Sequence, residues 1–153
     1  MSVRGHRVET RMWLPRAPAD LFPFFADAHN LEAITPPWLG FSVLTPAPIA
    51  MRAGALIDYR LRLHGVPIRW RTEIAAWEPP HRFVDRQVAG PYALWEHEHR
   101  FRTVAGGVVM SDSVAYRIRG GRVVDRIGDL ALARRDLRRI FEFRARALRE
   151  RFG

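Results

Sequence analysis

The chain has 153 residues, of which 48 % are hydrophobic and 11 % aromatic, so it can bury a core and a disordered chain is excluded. The absence of cysteine excludes disulfides, thiolate metal sites and thiol nucleophiles. The formal net charge is +9 and all 25 basic residues are arginine, so a lysine Schiff base is excluded as well.

The positive charge does not by itself predict a nucleic-acid partner. The arginines are spread along predicted strands and helix alike without a recognition motif, so we expect a solvated surface rather than a phosphate-binding patch. No N-terminal apolar run resembles a signal peptide, and no stretch approaches the roughly 18 apolar residues of a membrane span. We therefore expect a single cytoplasmic domain over residues 1–153, with no membrane span.

The beginning of the chain predicts a strand followed by two short helices. Residues 6–14 alternate apolar and charged side chains, which is the period of a half-buried strand. A short helix covers residues 18–27, and Pro18 suits its first turn. A second helical piece at residues 31–34 stops before Pro36, because a residue that precedes proline avoids helical backbone angles.

Six further strands are predicted before residue 120. The two longest early runs are joined by a turn that contains glycine, which is a hairpin signal. Gly-Pro and Gly-Gly turns separate the last strands from one another. The predicted strands are residues 41–44, 57–63, 68–74, 82–88, 95–102 and 110–118.

Residues 123–152 contain no proline and predict one long amphipathic helix. Its apolar residues recur at spacings of three and four, with arginines on the outer face. They are Ile127, Leu130, Ala133, Leu137, Phe141, Ala145, Leu148 and Phe152. A helix of ~40 Å can cover a whole antiparallel sheet. The fold class is therefore α+β: a strongly curved antiparallel sheet of about seven strands under a long C-terminal helix.

Several segments carry motifs of a known family. They are residues 31–41 (LEAITPPWLGF), 57–61 (IDYRL), 68–74 (IRWRTEI), 77–83 (WEPPHRF), 90–101 (GPYALWEHEHRF) and 112–116 (DSVAY). These segments resemble the START-like superfamily of polyketide cyclases, plant Bet v 1-like proteins and lipid-transfer domains, and in particular its bacterial SRPBCC branch. The resemblance implies a helix-grip fold that encloses a pocket for an apolar or aromatic small molecule. It also implies that the loop of residues 36–40 gates access to that pocket.

Two histidines and a carboxylate occupy the apolar faces of the last two strands. His97 and His99 are two residues apart, so both rings point to the interior, about 6.5–7 Å apart at the backbone. Asp112 points the same way from the next strand. Counting from the turn at residues 106–107 places residue 99 opposite about residue 114, with an error of two. Because burying such groups costs free energy unless they are paired or used, they predict a lined internal cavity.

The role of these polar residues stays open between alternatives. They can form an acid–base group, as the resemblance to cyclases implies, or a buried network that satisfies its own hydrogen bonds. A metal site would take Asp112 as third ligand to His97 and His99, but nothing completes the set, so we expect neither metal nor cofactor. Asp85 joins the group if its side of the strand faces inward, and pairs with arginines if it faces outward.

Aromatic residues on the same faces complete the predicted ligand-binding set. The set is Tyr59, Trp70, Asp85, Trp95, His97, His99, Phe101, Asp112, Tyr116 and Phe141. An apolar lining with a few polar groups is typical of a small-molecule site, so we expect a small hydrophobic or aromatic ligand between sheet and helix. Two alternatives remain: a cyclase or dehydratase, and a module that binds protein or nucleic acid through the basic outer helix. Ligand identity and oligomeric state are not predicted.

Overall fold

The computed structural model describes residues 5–153, and within this range the chain forms seven strands and several helical segments. The strands are β1 (His6–Leu14), β2 (Ser42–Val43), β3 (Leu56–Leu63), β4 (Val66–Glu78), β5 (Arg82–Ala89), β6 (Tyr92–Val104) and β7 (Gly107–Ile118). The helical segments are α1 (Pro18–Ala26), two 3₁₀ segments (Ala28–Ile34 and Pro37–Leu39), α2 (Gly121–Gly128), a π-helical turn (Asp129–Ala133) and α3 (Arg134–Phe152).

All seven strands belong to one antiparallel sheet with the order β1-β7-β6-β5-β4-β3-β2. The alternation that predicted the strands is visible in β7, where every second side chain from Val108 to Tyr116 is buried. Bulges interrupt the register between β4 and β5 and near the start of β6. Bulges of this kind bend a strand and increase its twist. The α+β class with a long C-terminal helix is confirmed.

Three apolar clusters fill the space beneath the sheet. The first joins α1 to the middle strands and to Leu148 of α3. The second joins β1 and β7 to Leu137 and Phe141 of the same helix. The third joins the first 3₁₀ segment to β2, β3 and β4. Since α3 contributes to two clusters on either side of Arg144, that residue lies between them on the inner face of the helix.

The predicted C-terminal helix is wrong in its first third. Ile127 and Leu130 were predicted to lie on the buried stripe, but they are 61 % and 73 % exposed. The reason is the π-helical turn, in which the Arg134 N–H bonds to the Asp129 carbonyl, five residues back. The wider turn changes the phase of the helix, so the apolar stripe is buried only from Ala133 onward.

Other boundaries differ from the prediction too, and β4 (Val66–Glu78) extends four residues beyond its predicted end at residue 74. The strand predicted at residues 41–44 pairs only at Ser42 and Val43. The second helical piece is longer than predicted, Ala28–Ile34, and it is a 3₁₀ segment in which the Asp27 side chain accepts from the His29 N–H.

Candidate functional site

A tight turn between β6 and β7 aligns the polar residues of the two strands. Gly106 has a φ of +75°, which favours glycine. Gly107 has no side chain, and this lets β1 approach this end of β7 closely. A Cβ atom at this position would lie only 2.2 Å from the Leu14 carbonyl oxygen. The resulting register places His99 directly opposite Asp112, two residues from the predicted position and within the stated error.

Five side chains from three adjacent strands and α3 form a buried polar cluster: Asp85 (β5), His97 and His99 (β6), Asp112 (β7) and Arg144 (α3). Asp112 is its centre. Its Oδ1 atom accepts a hydrogen bond from His97 Nε2 at 2.8 Å and from Arg144 Nη2 at 3.0 Å, and it lies 3.2 Å from His99 Nδ1. Of the two orientations considered for Asp85, the structure has the inward one. Its Oδ2 atom is 2.7 Å from His99 Nε2.

Arg144 is the member of the polar cluster that sequence reasoning missed. It was assigned with the other arginines to the outer face of the helix, yet the residue is only 8 % exposed. Its position three residues after Phe141 and four before Leu148 places it on the apolar stripe, and this spacing is the signal that could have identified it. A buried arginine needs an anionic partner, and Asp112 supplies it.

The two imidazoles stack against each other and against an aromatic ring. The ring centroids of His97 and His99 are 3.7 Å apart, and those of His99 and Phe83 are 3.9 Å apart with nearly parallel planes. Phe141 approaches His97 edge-on from the helix side. The rings are therefore held in fixed orientations by packing as well as by hydrogen bonds.

The electrostatics of the cluster lower the pKa of both carboxyl groups and raise the pKa of His99. Burial acts to raise the pKa of Asp112, but the charge of Arg144 and the histidine hydrogen bonds hold it well below its usual range. Burial also acts to raise the pKa of Asp85, and the hydrogen bond from His99 outweighs it. Burial lowers the pKa of His97, whereas at His99 the hydrogen bonds to the two carboxylates overcome burial and raise the pKa.

A cavity of about 180 Å³ lies between the sheet, α3 and the 3₁₀ segments, and every member of the polar cluster except Asp112 lines it. Its aromatic wall consists of Phe41, Tyr59, Trp70, Tyr92, Trp95 and Phe141. Its polar lining consists of Thr72, Asp85, His97, His99 and Arg144. The Trp70 indole N–H donates to the Thr72 hydroxyl, so that ring has its polar group satisfied. The remaining lining is aliphatic or, at Thr35, a small polar residue.

Seven of the ten residues in the predicted ligand-binding set line this cavity. They are Tyr59, Trp70, Asp85, Trp95, His97, His99 and Phe141. The other three do not. Asp112 lies behind the histidines, Phe101 packs against Phe22 and Phe25 of α1, and Tyr116 lies beyond the cavity near the π-helical turn.

Tyr116 belongs to a second polar cluster, which sequence reasoning also missed. Its hydroxyl donates to Asp129, a residue only 3 % exposed in the π-helical turn. Asp129 also pairs with Arg134 and His6. These contacts anchor the π-helical turn to β1 and β7, so we assign this cluster a structural role.

The loop that the resemblance implied as a gate is attached to the C-terminal helix. Trp38 is 53 % exposed and packs edge-on against Phe143, while the Arg139 guanidinium lies 5.1 Å from its ring centroid. Leu39, the next residue, is buried and lines the cavity. The loop therefore forms part of the cavity wall through Leu39 rather than through the tryptophan.

Membrane insertion through a helix has no support in the described part of the chain. None of the helices within residues 5–153 combines the length and the apolar character needed to cross a bilayer.

Comparison with solved structures shows likeness of the fold. No family model and no curated protein matches the chain. Major latex-like protein 151 from Panax ginseng superposes with a TM-score of 0.70 at 10 % identity, over 97 % of both chains. Ara h 8.0201 gives a TM-score of 0.67 at 14 % identity, over 95 % of both chains. Protein CV1439 from Chromobacterium violaceum gives 0.71 at 13 % identity, over 94 % of this chain and 95 % of that one.

Identities this low concern the fold alone, and the fold agrees along nearly the whole chain. The order of the elements is the one that the sequence resemblance implied. The chain therefore has a Bet v 1-like helix-grip fold.

Proposed function

We propose that the protein binds a small aromatic molecule that carries a hydroxyl group, in the cavity between the sheet and α3. The observation that carries this proposal is the lining of the cavity, which combines aromatic rings with every member of the polar cluster except Asp112. Small-molecule sites typically combine an apolar lining with a few polar groups that fix orientation. We also propose that the protein acts in the cytoplasm, and this is compatible with the described helices, none of which could span a membrane.

The size of the cavity limits the ligand to about one substituted ring. A buried apolar cavity of about 150 Å³ is known to hold benzene. The cavity here is about 180 Å³, so a substituted single ring fits without movement of the walls. The edge-on pair of Trp70 and Trp95, with ring centroids 5.1 Å apart, offers aromatic faces on which such a ring can stack.

The polar lining of the cavity favours a ligand that donates a hydrogen bond. Among residues 5–153, His97 Nδ1 makes no hydrogen bond, since Asp85 Oδ2 is 3.9 Å away. The other ring nitrogen of His97 donates to Asp112, so Nδ1 carries a lone pair at the cavity. A phenolic hydroxyl can donate to this atom.

The matched compounds p-cresol and p-xylene test the proposal, because they differ only in a hydroxyl that replaces a methyl group. We expect calorimetry to show p-cresol binding about 3–10-fold more tightly, the value of one net hydrogen bond. Leu61 is buried and lines the cavity, so Leu61→Trp should fill it and weaken both compounds about tenfold or more. The exposed Leu132→Trp is the control and should change neither affinity. Absence of binding, or binding that survives Leu61→Trp, would refute the proposal.

A second candidate function is proton transfer of the cyclase or dehydratase type. The same lone pair on His97 favours it, because Asp112 orients the ring from behind while Nδ1 faces the cavity. In this function His97 would take a proton from carbon next to a carbonyl group. Asp112 would be a positioning residue, and the His99–Asp85 pair would lie beside the reacting group.

Exchange of the α-protons of cyclohexanone in D₂O separates the two functions without knowledge of the natural substrate. An enzyme should accelerate the exchange, and His97→Gln should reduce the acceleration about 10²-fold or more. His64→Gln, at an exposed histidine, controls for catalysis by surface imidazoles. If the protein exchanges these protons no faster than buffer does, the candidate function is abandoned and simple binding remains.

A further inference from the structure

We propose that Asp85, His97 and His99 bind a divalent transition-metal ion, with Zn²⁺ as the simplest occupant. One donor atom of each residue lies within 4.8 Å of the other two. His99 Nε2 is 2.7 Å and His97 Nδ1 is 3.9 Å from Asp85 Oδ2. Two imidazoles and one carboxylate are a known ligand set for Zn²⁺ and for Fe²⁺.

The donor set differs from the one considered from the sequence. There Asp112 was the third ligand and no metal was expected. In the structure Asp112 lies on the far side of both rings, and Asp85 from the neighbouring strand closes the set instead. The register of β5 against β6, with Asp85 opposite His97, brings this carboxylate into place.

The strongest support comes from the nitrogen atoms that would not bind the metal. His97 Nε2 is 2.8 Å and His99 Nδ1 is 3.2 Å from the same oxygen of Asp112. Metal-binding histidines commonly donate their second N–H to a carboxylate, which fixes the tautomer that leaves the first nitrogen free for the metal. Here one oxygen of Asp112 lies beside both rings and also accepts from Arg144 Nη2. Because Arg144 Nη2 is 3.3 Å from His99 Nδ1 as well, metal binding would require this nitrogen to donate to Asp112 instead of accepting from Arg144.

The charge of the polar cluster also favours a cation. With both imidazoles neutral, the two carboxylates and the Arg144 guanidinium sum to −1 in a buried site. A buried net charge is costly, and either a proton on His99 or a metal ion would balance it. Only a metal ion would use all three inward-facing donor atoms at once.

Two of the three donor–donor distances need only small adjustments for binding, and the third, between the two histidine nitrogens, is at most 4.8 Å. In a tetrahedral Zn²⁺ site with bonds of about 2.0–2.1 Å, donor atoms are about 3.3 Å apart. The distance of 2.7 Å from Asp85 Oδ2 to His99 Nε2 would lengthen slightly, and the distance of 3.9 Å from the same oxygen to His97 Nδ1 would shorten. Three protein ligands leave a fourth position, which here faces the cavity. This inference goes beyond the proposed function, and its test contains no organic ligand.

Titration of the chelator-treated protein with Zn²⁺ by calorimetry, and with Co²⁺ by visible absorption, tests the inference. We expect one ion per chain, and an affinity that falls more than about tenfold in Asp85→Asn and in His97→Gln. Asp112→Asn removes no metal ligand but removes the carboxylate that orients the rings and pairs with Arg144, and it should weaken binding about 10–100-fold. His6→Gln, in the second polar cluster, and the exposed His64→Gln are controls that should leave the affinity unchanged.

X-ray absorption of the wild-type zinc complex gives a result that does not depend on the folding of any variant. We expect two imidazole ligands and oxygen at about 2.0–2.1 Å. Failure to bind Zn²⁺ or Co²⁺, binding that persists in both Asp85→Asn and His97→Gln, or a spectrum without two imidazoles would overturn the inference. None of these outcomes depends on whether p-cresol binds.

Discussion

Replacement of Arg144 by methionine should lower the free energy of unfolding by about 3–5 kcal/mol, because it leaves a carboxylate buried without its cationic partner. Methionine keeps the apolar stem, so the loss reports mainly on the charge and its hydrogen bonds. Arg144 Nη2 is 3.0 Å from Asp112 Oδ1, and both side chains are at most 10 % exposed. Urea denaturation monitored by circular dichroism measures the effect.

Two further variants make the Arg144 experiment specific. Arg146→Met removes an exposed arginine from the same helix and should change stability by less than about 0.5 kcal/mol. Adding Asp112→Asn to Arg144→Met removes the unpaired charge and should recover a large part of the loss. If Arg144→Met and Arg146→Met are equally stable, the buried ion pair is contradicted. A double variant that is less stable than Arg144→Met alone would contradict it as well.

Replacement of Phe141 by alanine should cost about 3–5 kcal/mol of stability and at the same time enlarge the cavity. The ring is 7 % exposed, approaches His97 edge-on and lines the cavity. The added space should let the protein bind two-ring compounds such as 2-naphthol, which the wild type should bind poorly. Thermal unfolding and calorimetric titration measure the two effects.

Phe143→Ala is the matched control for Phe141→Ala. Phe143 lies two residues along the same helix but is only half-buried and packs on Trp38. It should lose less stability than Phe141→Ala and leave the ligand preference unchanged. If Phe141→Ala destabilises the protein without any gain in affinity for 2-naphthol, the cavity does not accept ligands at this wall.

The strands and the register of the candidate site followed from local patterns. The period of two predicted β7, because side chains on a strand alternate between faces whatever the rest of the chain does. The Gly106-Gly107 turn located Asp112 to within two residues, because a tight turn fixes which residues can pair. The direction of Asp85 was not predictable, since both faces of β5 carry apolar residues.

Neither the burial of Arg144 nor the π-helical turn was predicted from the sequence, because both depend on tertiary contacts. An arginine in an arginine-rich amphipathic helix is expected outside, and only its partner on β7, 32 residues earlier, reveals why it is inside. The π-helical turn leaves the apolar spacing of three and four intact in the sequence, so nothing local shows that Ile127 and Leu130 point to solvent. Its anchor, the contact of Asp129 with Tyr116, joins two elements that the pattern of either one cannot relate.

The pairing of β1 with β7 sets a condition on how the chain reaches its native state. Glu9 is opposite Ser113, so more than a hundred residues separate these partners. The entropy of closing so long a loop must be overcome before the contact stabilises anything. On the ribosome, β1 leaves the exit tunnel long before its partner is made, and the edge of β7 stays unprotected until the two meet. Completion of the sheet is therefore expected late in folding, and we expect aggregation to compete with that step.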